Sequence, residues 1–392
     1  MVNQKKIKVL LIDEGLNTGT SQASKIGGSQ LNRWRLFSQN DIFEVTVLTS
    51  EPEIAALWRE SALVVFNPKL NCYRPSRSQL RFKLKDICKL LRESIRVAKI
   101  MNSELRSLDY EIILLNDNKS RLLYIISSII GTYRLPAAVR AIEMDTEWNI
   151  SPYDGLIKII YLIFFDKILL SSFAVKKKLS FWGKLFKKKL QVAYPLGDTL
   201  SLLWENTRYK IEKKKLVFAN IGTVWFRVKG QDIIVEAIEK LVKGRNDVPV
   251  EVRFFGDGPN LENLNSMIKE KNLQNYLKVR GYEKDHYKIF NDIHCCIVAS
   301  RTEAGSGVLI ECLQRNIPAI VSDIDSNIEL NNLYYNGLSF RSEDSDDLAA
   351  LLNKLIDGNI LTELHEILKN SDKKEIAYET QKAIISDFLR DF

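Results

Sequence analysis

Two carboxylates, Glu303 and Glu311, stand with seven residues between them, and Gly305-Ser306-Gly307 lies in that interval. The glycine-rich triplet is expected to open a helix that carries Val308, Leu309 and Ile310 toward Leu313. Amides at a helix start attract anions through their geometry and through the helix dipole. Ala304 and Glu303 then fall on the loop before that start, and Glu311 lies about one turn inside the helix. So placed, the two carboxylates do not suit an acid/base dyad that shares a proton. They suit the two ends of a nucleotide sugar, with its diphosphate on the amides between them. A carboxylate accepts two charge-assisted hydrogen bonds, which fits it to vicinal hydroxyls. On an ordinary surface helix the same pair would be a solvated face; the setting is what separates the two readings.

A cation is required beside a diphosphate, and Lys229 is the candidate, in the stretch GTVWFRVKGQD that follows Gly222 and Thr223. Its ammonium would neutralise the diphosphate and stabilise it as a leaving group. Arg227 and Arg301 are candidates to assist, and Gly230 permits close approach where the next helix begins.

These residues need a scaffold, and the second half of the chain spells one out. Strands are expected at 215–221, 249–255, 277–280, 295–299 and 319–321, alternating with helices near 229–243, 260–271, 285–291 and 307–315. Each of the first four strands runs into glycine: Gly222, then Gly256 and Gly258, then Gly281 beside Tyr282, then Gly305 and Gly307. In an open α/β sheet, ligands bind outside the carboxyl ends of the strands, where glycine lets backbone come close. One glycine there is a turn; four in succession on one sheet edge mark a cleft.

The first half has the same alternation, with strands at 6–13, 43–49, 63–66, 111–115, 137–142 and 167–170 and a long basic helix over 78–107. The expected fold class is α/β, with two doubly wound parallel-sheet domains facing a central cleft. Residues 1–200 form the first, 201–374 the second, and a last helix in 375–392 crosses back to the first. After residue 343 the chain reads as helical to its end.

The formal net charge of +8 is concentrated in the first half. Residues 71–110 hold ten Lys/Arg against four Asp/Glu, and residues 151–190 hold nine against two. Together with Phe181-Trp182 and the lysine clusters at 176–178 and 187–189, this favours contact with an anionic membrane surface. Nucleic acid is not an expected partner, because neither zinc-finger spacing nor an aromatic RNA-binding motif accompanies the charge. The five cysteines show neither a paired framework nor metal spacing, and Cys295-Cys296 reads as strand packing. The start MVNQKKIKVLLIDEG lacks the form of a signal peptide, and LIKIIYLIFF at 156–165 is too short to span a bilayer. A cytoplasmic protein, peripheral on the inner face of the plasma membrane, is the expectation.

The strings GTVWFRVKGQDIIVEAI, VRFFGDGPNLENL and LKVRGYEKDHYKIFNDIHCCIVASRTEAGSGVLIECLQRNIPAIVSD, covering about 216–323, resemble the donor domain of the GT-B-fold retaining glycosyltransferases of family 4. The resemblance implies transfer of a hexose-type sugar from a nucleotide-diphosphate sugar, UDP or GDP, to a saccharide or lipid-linked acceptor in cell-surface polysaccharide or glycolipid synthesis. It implies neither metal nor other cofactor. It assigns Lys229 to the diphosphate, Glu303 to the donor hexose, the backbone of Gly305 to Val308 to phosphate, and Glu311 to the ribose. Gly27-Gly28 resembles the family's glycine loop facing the donor across the cleft. The chain departs from the pattern in two places. Thr223 stands where an Arg is common, and the histidine common at the end of a first-domain strand is absent, leaving Glu143 or Asp145 in VRAIEMDTEW. A catalytically impaired partner subunit of the same fold is the alternative that these departures raise.

Overall fold

The computed structural model describes residues 6–12, 42–70, 84–115, 121, 124–126, 128–129, 138–142, 154–196, 215–333, 338–373 and 376–390. Two parallel sheets organise it. In the first, strands β1 (Ile7–Ile12), β2 (Phe43–Thr49), β3 (Leu63–Phe66), β4 (Ile112–Leu115), β5 (Ala138–Ile142), β6 (Lys167–Leu170) and β7 (Leu190–Val192) lie in the order 3-2-1-4-5-6-7. In the second, β8 (Leu216–Ile221), β9 (Val250–Phe255), β10 (Leu277–Gly281), β11 (Cys295–Val298), β12 (Ala319–Ser322) and β13 (Leu338–Phe340) lie in the order 10-9-8-11-12-13. Both sheets therefore reverse direction next to their first strand, between β1 and β4 and between β8 and β11. That reversal opens a crevice at the carboxyl ends of the two strands that flank it.

The helices of the first half include α1 (Pro52–Trp58), α2 (Leu84–Ser107), α3 (Asp154–Phe164), α4 (Phe173–Lys178) and α5 (Ser180–Leu185). Those of the second are α6 (Phe226–Lys229), α7 (Gln231–Gly244), α8 (Leu261–Glu270), α9 (His286–Phe290), α10 (Gly307–Gln314), α11 (Asp325–Asn332), α12 (Ser345–Asp357), α13 (Ile360–Asn370) and α14 (Tyr378–Arg390).

Strand periodicity divides each core in two. On β8, Leu216 and Phe218 face the layer of α7, α8 and α12, while Val217 and Ala219 face the layer of α9, α10 and α11. On β1, Leu10 and Ile12 meet Val97 and Met101 of α2, while Val9 and Leu11 meet Ile54 and Trp58 of α1. Strands apolar on both faces are what a parallel sheet with two helical layers requires. Each fully buried large side chain, such as Phe218, contributes about 1.5–3 kcal/mol. Helix α14 places Ile385, Phe388 and Leu389 in the cluster with Val9 and Leu11, so the last helix packs on the first sheet.

The structure adds elements that patterning missed: the three-residue edge strands β7 and β13, and helix α11. The long basic helix is described from Leu84; the start expected at 78 lies outside the described residues, as do the stretches around residue 200.

Candidate active site

Lys229 and Glu303 meet across the crevice of the second sheet. Lys229 ends α6, in the connection after β8, and Glu303 lies on the loop after β11, the neighbouring strand. The ammonium donates to Glu303 Oε1 at 2.5 Å. Their side chains are 29% and 11% exposed, so the pair is held partly out of water at the edge of the cleft.

Gly230 forces this proximity. It takes φ +64° to end α6 and begin α7, and a Cβ there would lie 2.1 Å from the carbonyl of Ala299, at the end of β11. No residue with a side chain permits that contact, so α6 is pressed against the strand end that leads to Glu303. Arg301 fastens the same junction. Its guanidinium donates to both oxygens of Asp232 at 2.8 and 2.9 Å and to the carbonyl of Phe226, and its backbone N–H donates to Val228 O at 2.8 Å. The bond to Asp232 holds its pKa above the ordinary arginine value. A guanidinium gripped on two sides clamps the loop.

Glu303 is positioned from beneath. Ser300 Oγ donates to its Oε1 at 2.8 Å, Ser322 Oγ donates to the carbonyl of Ser300 at 2.5 Å, and Ser326 Oγ donates to the carbonyl of Glu303 at 3.0 Å. Both donors to the carboxylate act on Oε1, which leaves Oε2 able to accept from a ligand. The ammonium of Lys229 has three protons and gives one to Glu303, so it also retains donors.

Next to this pair is the start of α10. Ser306 is its N-cap, with Oγ accepting from Leu309 N at 3.3 Å. The amides of Gly307 and Val308 belong to the first turn, where an α-helix offers no internal acceptor. Buried Leu309, Ile310, Cys312 and Leu313 anchor the helix, and Glu311 lies one turn along, partly exposed.

The glycines divide into two kinds. A Cβ on Gly256 would lie 1.9 Å from Gly222 O, one on Gly258 2.6 Å from Val224 O, and one on Gly305 2.6 Å from Ser171 O. At these three positions glycine makes room for backbone from another segment. Gly281 and Gly307 have nothing within 4 Å, and Gly222 has only the Lys229 side chain, at 4.0 Å. At these three positions a side chain would meet little or nothing. Thr223 is partly exposed, its carbonyl accepting from Gln231 Nε2. Arg227 is exposed, and Tyr282 is more than a third exposed, with desolvation pushing its hydroxyl pKa up.

Gly27, Gly28, Glu143 and Asp145 lie outside the described residues. Two of the three histidines support structure: His294 Nδ1 accepts from Val217 N, and His365 Nδ1 meets Asn316 O. Among the described residues no three His, Cys, Asp or Glu side chains gather as a metal site would need. No described helix is long and apolar enough to cross a membrane.

Over 98% of its length the chain superposes on all of Anabaena HepE, in a crystal structure with UDP and glucose, with a TM-score of 0.74 at 17% identity. The fold is GT-B. Residues 205–375 match the family described as glycosyl transferases group 1. An uncharacterized glycosyltransferase of Methanocaldococcus jannaschii is 26% identical over 180 residues, 44% of each chain. The poly(ribitol-phosphate) alpha-N-acetylglucosaminyltransferase of Staphylococcus aureus is 25% identical over 134 residues, 33% of this chain and 26% of that one. The chain thus aligns with less than half the length of either curated relative. The GT-B crevice between β8 and β11 is where Lys229 and Glu303 meet.

Proposed function

We propose that the chain is a retaining glycosyltransferase of family 4 that moves a hexose-type sugar from a nucleotide-diphosphate sugar to a saccharide or lipid-linked acceptor. The observation that carries this reading is the Lys229–Glu303 pair at the crevice, beside the first turn of α10. The diphosphate lies on the amides of Gly307 and Val308 and against Lys229, Glu303 Oε2 accepts from hydroxyls of the hexose, and Glu311 accepts from the ribose. The superposition on HepE, seen with UDP and glucose, supports a UDP-sugar as the first donor to try.

In the reaction, the bond between the anomeric carbon and the leaving phosphate oxygen breaks as the acceptor oxygen bonds to the same face of that carbon. The acceptor proton passes to the departing phosphate, whose developing charge Lys229 and the α10 amides stabilise. No metal is needed for this distribution of charge. In this reading residues 1–200 receive the acceptor, residues 201–374 hold the donor, and the segment 375–392 ties the two together through α14.

The acceptor side faces an anionic membrane through α4 and α5. Phe181 and Leu185 are 64% and 59% exposed, and Trp182 joins them. Lys177, Lys178, Lys184, Lys187 and Lys188 surround them, exposed. Lys189 is not part of this surface: its ammonium donates to the carbonyls of Leu162 and Phe165, both at 2.9 Å, and burial pushes its pKa down. A peripheral enzyme of polysaccharide or glycolipid synthesis on the cytoplasmic leaflet fits this surface.

The test is turnover of a panel of UDP-, GDP- and ADP-sugars, with the anomeric configuration of the product read by NMR. The reading expects one donor to be consumed with retention. No turnover of any donor overturns the activity, and inversion overturns the mechanism.

A further inference from the structure

We propose that Glu329, on α11, is a positioning residue that couples the contact between the two halves of the molecule to the donor carboxylate Glu303. Its Oε1 accepts from Phe173 N and from the Tyr194 hydroxyl, each at 2.9 Å, and its Oε2 accepts from Ala174 N at 2.5 Å. Phe173 and Ala174 open α4, a helix of the first half. The third amide of that turn, Val175 N, is served by the helix's own N-cap, Ser172 Oγ. Glu329 therefore completes the cap of a helix in the other half, and a carboxylate at such an end is favoured by charge as well as by hydrogen bonding.

Helix α11 also holds the donor loop. Ser326, three residues before Glu329, binds the carbonyl of Glu303. Asn327, fully buried, donates to Ser322 Oγ at 3.1 Å, and Ser322 binds the carbonyl of Ser300, whose hydroxyl reaches Glu303 Oε1. The same loop touches the first half directly: Ser172 Oγ donates to Ala304 O at 2.5 Å, and Gly305 packs beneath Ser171 O and Pro195. One short helix thus bonds through Glu329 to the first half and through Ser326 and Asn327 to the donor loop. If the Glu329 contact opens, the support beneath Glu303 shifts with it. The coupling rests on the donor-site reading above, whereas the contact itself does not.

The test compares the full-length wild type with Glu329→Ala and Glu329→Gln. Amide hydrogen exchange is followed in peptides covering 171–179 and 300–306, alongside kcat, KM and the affinity for UDP. In Glu329→Ala, exchange is expected to accelerate in both peptides and kcat to fall about tenfold, with UDP affinity changed less than about threefold. Glu329→Gln keeps one acceptor oxygen and is expected to recover most of kcat. A purely local cap would speed exchange only in 171–179; that result, or a kcat within about twofold of wild type, overturns the proposal. If Glu329→Ala does not fold, Tyr194→Phe removes one bond to the same carboxylate. It is expected to speed exchange in 300–306, and no change there overturns the coupling. If the wild type turns over no nucleotide sugar, the donor reading fails, and exchange in the two peptides still decides whether the contact and the loop are linked.

Discussion

Replacing Glu303 with alanine is expected to separate two affinities that most active-site substitutions lower together. In the free protein Glu303 holds the Lys229 ammonium at 2.5 Å. Alanine removes the acceptor for the donor hexose and releases the ammonium. For a UDP-sugar, losing one carboxylate that accepts from sugar hydroxyls costs about 1.5–3 kcal/mol, or about 10- to 150-fold in affinity. For UDP, which has no hexose, the same substitution withdraws a negative charge from beside the diphosphate. At an effective dielectric of about 20 and a separation of about 7 Å, that relieves at most about 2.4 kcal/mol, so UDP affinity is unchanged or rises by up to about 60-fold. Lys229→Ala acts differently: it weakens UDP and UDP-sugar alike, by about 10- to 150-fold. It also leaves Glu303, only 11% exposed, without its cation, which lowers the stability of the free protein by about 1–2 kcal/mol. Isothermal titration of UDP and of a UDP-sugar into the wild type and both variants reads all of this. If Glu303→Ala weakens UDP as much as Lys229→Ala does, the division of the ligand between these two residues is wrong.

Four further outcomes follow from the structure. Glu251 is buried, which alone would raise its pKa, but hydrogen bonds from Lys215 and Arg253 outweigh burial and hold it at about 2. A carboxylate lowered in this way stabilises the fold above about pH 4.5 and loses that contribution as pH falls toward 2. With its partners partly exposed, Glu251→Gln is expected to cost about 1–2 kcal/mol at pH 7, and the gap between variant and wild type should close toward pH 2 in chemical denaturation. Gly256→Ala, with φ +146° and a carbonyl 1.9 Å from the new methyl, is expected to cost about 2–4 kcal/mol. Gly307→Ala, in open space at a helix start, leaves stability level or raises it by up to about 1 kcal/mol while weakening UDP; thermal melts and titration check both variants. Vesicles of phosphatidylglycerol and phosphatidylcholine are expected to sediment the protein at low salt, less so at high salt, and much less so after alanine replaces Phe181, Trp182 and Leu185. Failure to bind at low salt removes the membrane-facing part of the proposal.

The central strands were legible because strands buried on both faces read as unbroken apolar runs, as in IKVLLI and LVFANI. The edge strands β7 and β13 were not, since three residues carry no period. Helix α11 escaped for a different reason. Its buried residues are Ser326, Asn327, Leu330 and Asn331, so the stripe that faces inward is polar and offers no hydrophobic repeat to detect. That polar face is the one that supports Glu303. That Lys229 and Glu303 lie on neighbouring strand ends was readable from spacing, but the hydrogen-bond partners that hold them were not. Nothing in the sequence near Arg301 indicates that Asp232, sixty-nine positions earlier, holds its guanidinium. Likewise a glycine after a strand marks a place where a side chain is excluded, and only the fold tells whether backbone or open cleft excludes it. At Gly256 and Gly258 backbone lies in the way; at Gly281 and Gly307 the space is open.

Where a nucleotide sugar binds decides the proposed function, and a crystal structure of the chain soaked with UDP-glucose measures it. The expected density places the diphosphate on the amides of Gly307 and Val308 with Lys229 beside it, the hexose hydroxyls on Glu303 and the ribose hydroxyls on Glu311. A nucleotide bound away from the β8–β11 crevice, or one in the crevice with its ribose at Glu303 and its hexose at Glu311, would contradict it.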